Sequence, residues 1–118
     1  MLPAIIKAIK SVMKSENALE AEFCFSQGDP IFAGHFPDMP VIPAVYQVGL
    51  CRKVIEQNGN YKFAGIIKSR FSKMCIPGTL YNLKITFSKN ENKIEAACSI
   101  HSPAEKALCS KIVLLFTH

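Results

Sequence analysis

The sequence predicts an α+β fold in which an antiparallel sheet wraps around one central helix. Three observations carry that expectation. Residues 44–58, AVYQVGLCRKVIEQN, place Val45, Tyr46, Val48, Leu50, Val54 and Ile55 so densely that only a narrow polar side remains. Such a helix belongs inside a fold rather than on its surface. Residues 19–25 set Leu19, Ala21, Phe23 and Phe25 in alternation with Glu20, Glu22 and Cys24, the pattern of a half-buried strand. After Gly59 the apolar segments are separated by short turn-forming stretches, as in an antiparallel sheet.

Taken in order, residues 2–14 are ambiguous. Ile5, Ile9 and Val12 or Met13 recur at helical spacing, whereas alternation fits poorly, so the pattern alone leans to helix. The strand at 19–25 ends at Gly28, Asp29 and Pro30. Residues 34–43 form a stiff loop, because Pro37, Pro40 and Pro43 each fix φ and push the preceding residue toward extended geometry. Pro43 also stands where the helix starts, at a position proline tolerates, and Gly59 is its expected stop. Strands are expected at 63–74, 80–88, 93–101 and 108–117. Pro77-Gly78 has the residue order of a type II turn. The last three strands, joined by short polar turns, should form a meander.

With 118 residues the chain reads as one domain, 1–118, able to bury about two thirds of its unfolded surface. Apolar residues make up 49% of it, enough to exclude disorder and to leave some surface for a subunit interface. The net charge is +5, yet the lysines are scattered and form no block. No aromatic platform or basic stripe accompanies them, which argues against nucleic-acid binding. The five cysteines are odd in number and contain no CxxC pair, so neither a disulfide framework nor a zinc site is expected. They read as small core side chains in a reducing cytoplasm. The opening MLPAIIKAIKSVMK is interrupted by lysines and reads as neither a signal peptide nor a membrane span.

Residues 32–45, FAGHFPDMPVIPAV, resemble the GHFPxxPxxPG signature of the 3-hydroxyacyl-acyl-carrier-protein dehydratases of the hotdog fold. Residues 61–87, YKFAGIIKSRFSKMCIPGTLYNLKITF, are similar to the strand, PG turn and strand that follow the central helix in that family. The resemblance implies a long sheet curled around the helix and two protomers joined edge to edge as a homodimer. It implies an acyl carrier protein or coenzyme A thioester as partner and no cofactor; no metal and no membrane insertion are expected from the cysteine spacing and the opening segment. It also allows residues 4–13 to be a strand.

Removing water from a 3-hydroxyacyl thioester needs a base for the proton beside the carbonyl, an acid for the leaving hydroxyl, and donors for the enolate-like oxygen. The resemblance makes His35 the base, held in direction by the prolines around it. A structural histidine bonded to a loop carbonyl is the alternative. The oxygen stabiliser is the backbone N–H of Ala44, where the family carries glycine. Gly34, Phe36, Pro43, Val45, Gly49 and Phe71 are the expected substrate-binding positions.

One departure matters more than the rest. The family's helix carboxylate, fourteen positions after the histidine, falls on Gly49, and no acid occupies the neighbouring turns at Val45, Tyr46, Arg52 and Lys53. Asp38 in the histidine loop and Gln47 on the helix are the substitutes at hand. A missing acid typically costs about 100- to 10,000-fold in rate. The sequence therefore points to a dehydratase-like lyase of fatty-acid type with weakened or altered activity. The alternatives are an acyl thioesterase or a non-catalytic subunit of a heteromeric dehydratase. Lys68 and Arg70 could meet an acidic carrier or its phosphate, or be a solvated sheet face. Tyr46 and Tyr81 read as packing aromatics.

Overall fold

The structure is a computed structural model and describes residues 2–32 and 40–118. Residues 2–14 turn out to be helix and strand in succession: α1 spans Leu2–Ala8 and β1 spans Ile9–Lys14. Ala4, Ile5 and Ala8 share the buried face of α1, which is the helical spacing visible in the sequence. From Ile9 the backbone pairs with a neighbouring strand through a register shift, and the Ala8 carbonyl accepts from Cys24 N–H at 2.9 Å. β1 buries no residue fully. Pairing rather than burial holds it, so it leaves no alternating signature.

The remaining elements are β2 (Ala18–Phe23), a 3-10 turn at Pro30–Phe32, α2 (Ala44–Gln57), β3 (Lys62–Phe71), β4 (Tyr81–Asn90), β5 (Lys93–Ser102) and β6 (Ala107–Thr117). They make one antiparallel sheet in the order β1-β2-β4-β5-β6-β3. β4, β5 and β6 form the expected meander. β3 ends at Phe71 rather than 74, because Ser72 and Lys73 both turn their N–H groups to the Cys109 carbonyl, at 2.8 and 3.1 Å. It pairs with β6, not with β4, and so forms the far edge of the sheet. The glycine of the Pro77-Gly78 turn has φ +83°, the value a type II turn requires there, and its N–H donates to the Phe25 carbonyl at 2.7 Å.

Leu50, Cys51, Val54 and Ile55 put one stripe of α2 into the core, against inward residues such as Leu83, Ile85, Ile100, Ile112 and Leu114. The helix is not enclosed on all sides, contrary to the expectation from its composition, for Val45 is 58% exposed and Val48 and Gly49 are half-buried. It is ended by Asn58, one residue before Gly59. The Asn58 side chain donates to the Val54 carbonyl at 2.7 Å and its N–H to Ile55 at 3.1 Å. Four of the five cysteines are buried, Cys24 is half-buried, and all five are free thiols.

Candidate functional site

The start of α2 is set from both sides. Ile42 N–H donates to the Cys75 carbonyl at 2.8 Å, tying the segment before the helix to the segment after β3. Pro43 then adopts φ −60° and ψ 152° as N-cap, with no side-chain capping bond. Tyr46 and Gln47 make the first helical bonds, both to the Pro43 carbonyl. The N–H groups of Ala44 and Val45 come ahead of those bonds, at the positive end of the helix dipole. Ala44 is itself helical, so its φ is negative and its methyl group is compatible with the donor role expected of this position.

Ala44 borders an open cavity of about 300 Å³. Pro43, Ala44, Gln47 and Phe71, four of the positions expected from the sequence, line it together with Ile42 and Met74. Phe71 reaches it because the register of β3 pairs it with Ser110 on the helix side of the sheet, and it stays 40% exposed. Val45 and Gly49 are not among the lining residues. Gly34, His35, Phe36 and Asp38 lie outside the described residues.

Gln47 is 3% exposed, and its amide is engaged at both ends. Nε2 donates to the Ile42 carbonyl at 3.1 Å, and Oε1 accepts from the Ser110 hydroxyl at 2.6 Å. The sequence showed a polar residue near the helix start but gave no hint of this clamp, whose partner lies 63 residues away. Further along α2, Glu56 is held by Arg52 at 3.1 Å. The Arg52 guanidinium lies 4.0 Å over the Phe63 ring. Glu56 sits two turns beyond Gly49, near the C-terminal end of the helix, and supplies no acid at the level of Gly49.

The segment after β3, which bonds to Ile42, and the strand that follows it carry two buried groups with raised pKa values. Burial, reinforced by the neighbouring Cys109, pushes the Cys75 thiol up to about 12. Burial likewise raises Tyr81, whose hydroxyl accepts the Ile76 N–H at 2.8 Å and so anchors the same segment. Both stay protonated near neutral pH and are weak nucleophiles there. Tyr81 is a packing aromatic, as expected, stacked on Phe23. Lys73 at the cavity wall is bonded to Glu105, which raises its pKa.

A family model described as ApeI-like, ApeI dehydratase, matches residues 11–111. Among curated relatives, the 3-hydroxyacyl-acyl-carrier-protein dehydratase FabZ of Idiomarina loihiensis is 34% identical over 92 residues, covering 68% of this chain and 61% of the relative. FabZ of Cereibacter sphaeroides is 21% identical over 101 residues, covering 76% and 64%. The chain thus spans a little under two thirds of the length of these relatives. Two solved structures share the architecture. The dehydratase heterocomplex ApeI:P from Xenorhabdus doucetiae superposes with TM-score 0.75 and 16% identity, covering 93% of this chain and 96% of that one. A hypothetical thioesterase with coenzyme A from Streptococcus pneumoniae gives 0.70 and 9%, covering 91% and 86%. The sheet curled about α2 is the hotdog fold.

Proposed function

This chain belongs to the ApeI-like dehydratase family, and from that premise we propose a lyase that removes water from 3-hydroxyacyl thioesters of an acyl carrier protein or coenzyme A. The observation that carries the reading is the start of α2, with no side-chain cap, opening onto a cavity lined by Phe71 and Met74. The thioester carbonyl oxygen sits at the Ala44 N–H. His35 takes the proton from the carbon beside the carbonyl, and the electron pair shifts toward that oxygen, where the N–H and the helix dipole stabilise it. As the double bond forms, the bond to the 3-hydroxyl breaks and the hydroxyl leaves as water with a proton from an acid.

The acid is the weak point. Gly49 stands where the family places a carboxylate, so Asp38, or a water oriented by Gln47, fills the role at reduced rate. Gly34, Phe36, Pro43 and Phe71 flank the acyl chain and its thioester arm. Two copies join through the exposed edge of β3, where Ile66 and Ile67 face solvent. Five free thiols suit a reducing compartment such as the cytoplasm.

The same glycine favours a second reading, a subunit that supplies His35 and the binding cavity while a carboxylate-bearing homologue supplies the acid. Purified protein and its His35→Ala variant, given 3-hydroxyacyl, enoyl and saturated acyl thioesters, separate the readings. Interconversion of the first two that His35→Ala abolishes supports the lyase. Thiol release from the saturated substrate makes it a thioesterase. Acyl binding without turnover, with turnover appearing on addition of the homologue, makes it the subunit.

A further inference from the structure

Gln47 holds two successive carbonyl groups ahead of α2. Its backbone N–H donates to the Pro43 carbonyl at 3.2 Å, and its side-chain Nε2 donates to the Ile42 carbonyl at 3.1 Å. The Ile42 N–H is held in turn by the Cys75 carbonyl at 2.8 Å, so both backbone polar groups of Ile42 are taken. A trans peptide unit is planar, and its N–H points opposite to its C=O. The bond to the Pro43 carbonyl therefore sets the direction of the Ala44 N–H. Pro43 has its φ locked by the ring, which leaves its ψ, 152°, as the one free rotation between the two peptide planes that Gln47 holds. The Ser110 hydroxyl, 2.6 Å from Oε1, decides which end of the amide faces Ile42. It donates to the amide oxygen and leaves the nitrogen for a carbonyl that can only accept.

We propose that Gln47 and Ser110 are positioning residues for the oxyanion donor: through Ile42 and Pro43 they aim the Ala44 N–H at the thioester carbonyl oxygen, an inference that rests on the thioester reading above. A donor stabilises a developing oxyanion only from the right distance and direction. A misplacement of about 1 Å, caused by a change away from the chemistry, can cost about 100-fold in rate. The Ala44 N–H is a donor in need of bracing, because it precedes the first helical bonds and Pro43 caps the helix with no side-chain bond. Gln47 is the polar side chain that reaches back to supply it. At 3% exposure its amide carries a desolvation cost that an apolar side chain would avoid. Ser110 is 1% exposed and is not among the residues lining the cavity, so it reaches the site through Gln47.

The test follows the amide resonances of the full chain by NMR, alongside steady-state kinetics. Ser110→Ala should shift the Ala44 and Val45 N–H resonances, although position 110 lies on β6. In a Gln47→Met background the same change should shift them no further, because the amide that transmits it is gone. With a 3-hydroxyacyl thioester, kcat should fall about tenfold in Ser110→Ala and about 100-fold in Gln47→Met. KM should change by less than about threefold, since an aimed donor counts most in the transition state. Ser110→Ala is the milder change and carries the test by itself if Gln47→Met does not fold. Resonances that ignore Ser110→Ala, or a kcat left intact while the urea midpoint falls, overturn the positioning role and make the clamp a packing contact. A wild type that turns over no 3-hydroxyacyl thioester overturns the lyase reading instead. The resonance coupling then still decides whether Ser110 and Gln47 hold the Ala44 donor.

Discussion

The Ser110 hydroxyl on β6 donates a 2.6 Å hydrogen bond to the side-chain oxygen of Gln47, in the first turn of α2. With the second bond from Nε2 to the Ile42 carbonyl, the buried amide fixes the helix start to the sheet and to the segment before it. Ser110→Ala removes the donor and leaves a buried amide oxygen short of a partner, at a cost of about 1–3 kcal/mol. Urea denaturation should show a lower midpoint with an unchanged slope. A midpoint equal to wild type would mean that the clamp contributes nothing.

Gly49 tests whether the site lacks only an acid. It is half-buried on α2, and a helical glycine costs about 1 kcal/mol relative to alanine. Gly49→Glu should therefore fold and should raise dehydration by a large part of the 100- to 10,000-fold that a positioned acid typically supplies (about two to four decades). Enoyl absorbance on a 3-hydroxyacyl thioester measures it, and Gly49→Glu/His35→Ala should stay silent. No gain from the single variant would place the missing acid elsewhere.

Gly78 is held at φ +83° while an added Cβ would come within 2.6 Å of the Gln27 side chain. Gly78→Ala meets both obstacles and should lose about 1–3 kcal/mol. Adding Gln27→Ala relieves the steric contact but not the backbone, so part of the loss should remain in the double variant. Full recovery in thermal unfolding would show that the backbone conformation costs nothing there.

What the sequence disclosed followed burial. The helix start at Pro43, the alternation of β2 and the β4–β6 meander were legible because each buries a periodic set of apolar side chains. The α1–β1 junction was not, because β1 is held by backbone pairing and buries no residue fully. The placement of β3 beside β6 was hidden for a different reason. Two register shifts, between Phe63 and Gly65 and between Ile66 and Lys68, break its alternation, so periodicity does not reveal which face each residue takes. Of the site, Pro43, Ala44 and Phe71 were readable as positions, and the cavity unites them with Gln47. The amide clamp of Gln47 was beyond reach, since no local pattern couples it to Ser110.

Alkaline unfolding offers a check on the buried thiol beside the site. An ordinary thiol loses its proton near 9, whereas burial and the neighbouring Cys109 hold Cys75 up to about 12 in the folded chain. Between those values the unfolded chain binds fewer protons than the folded one, so stability falls as pH rises. The contribution is complete below pH 9 and gone above 12. Tyr81, raised chiefly by burial, pulls in the same direction from its ordinary value of 10. Denaturant midpoints across this range should decline in wild type and decline less steeply in Cys75→Ala. The comparison is of slopes, because the variant also loses packing at every pH. Equal slopes would mean that the Cys75 thiol ionises in the folded protein as readily as in the unfolded chain.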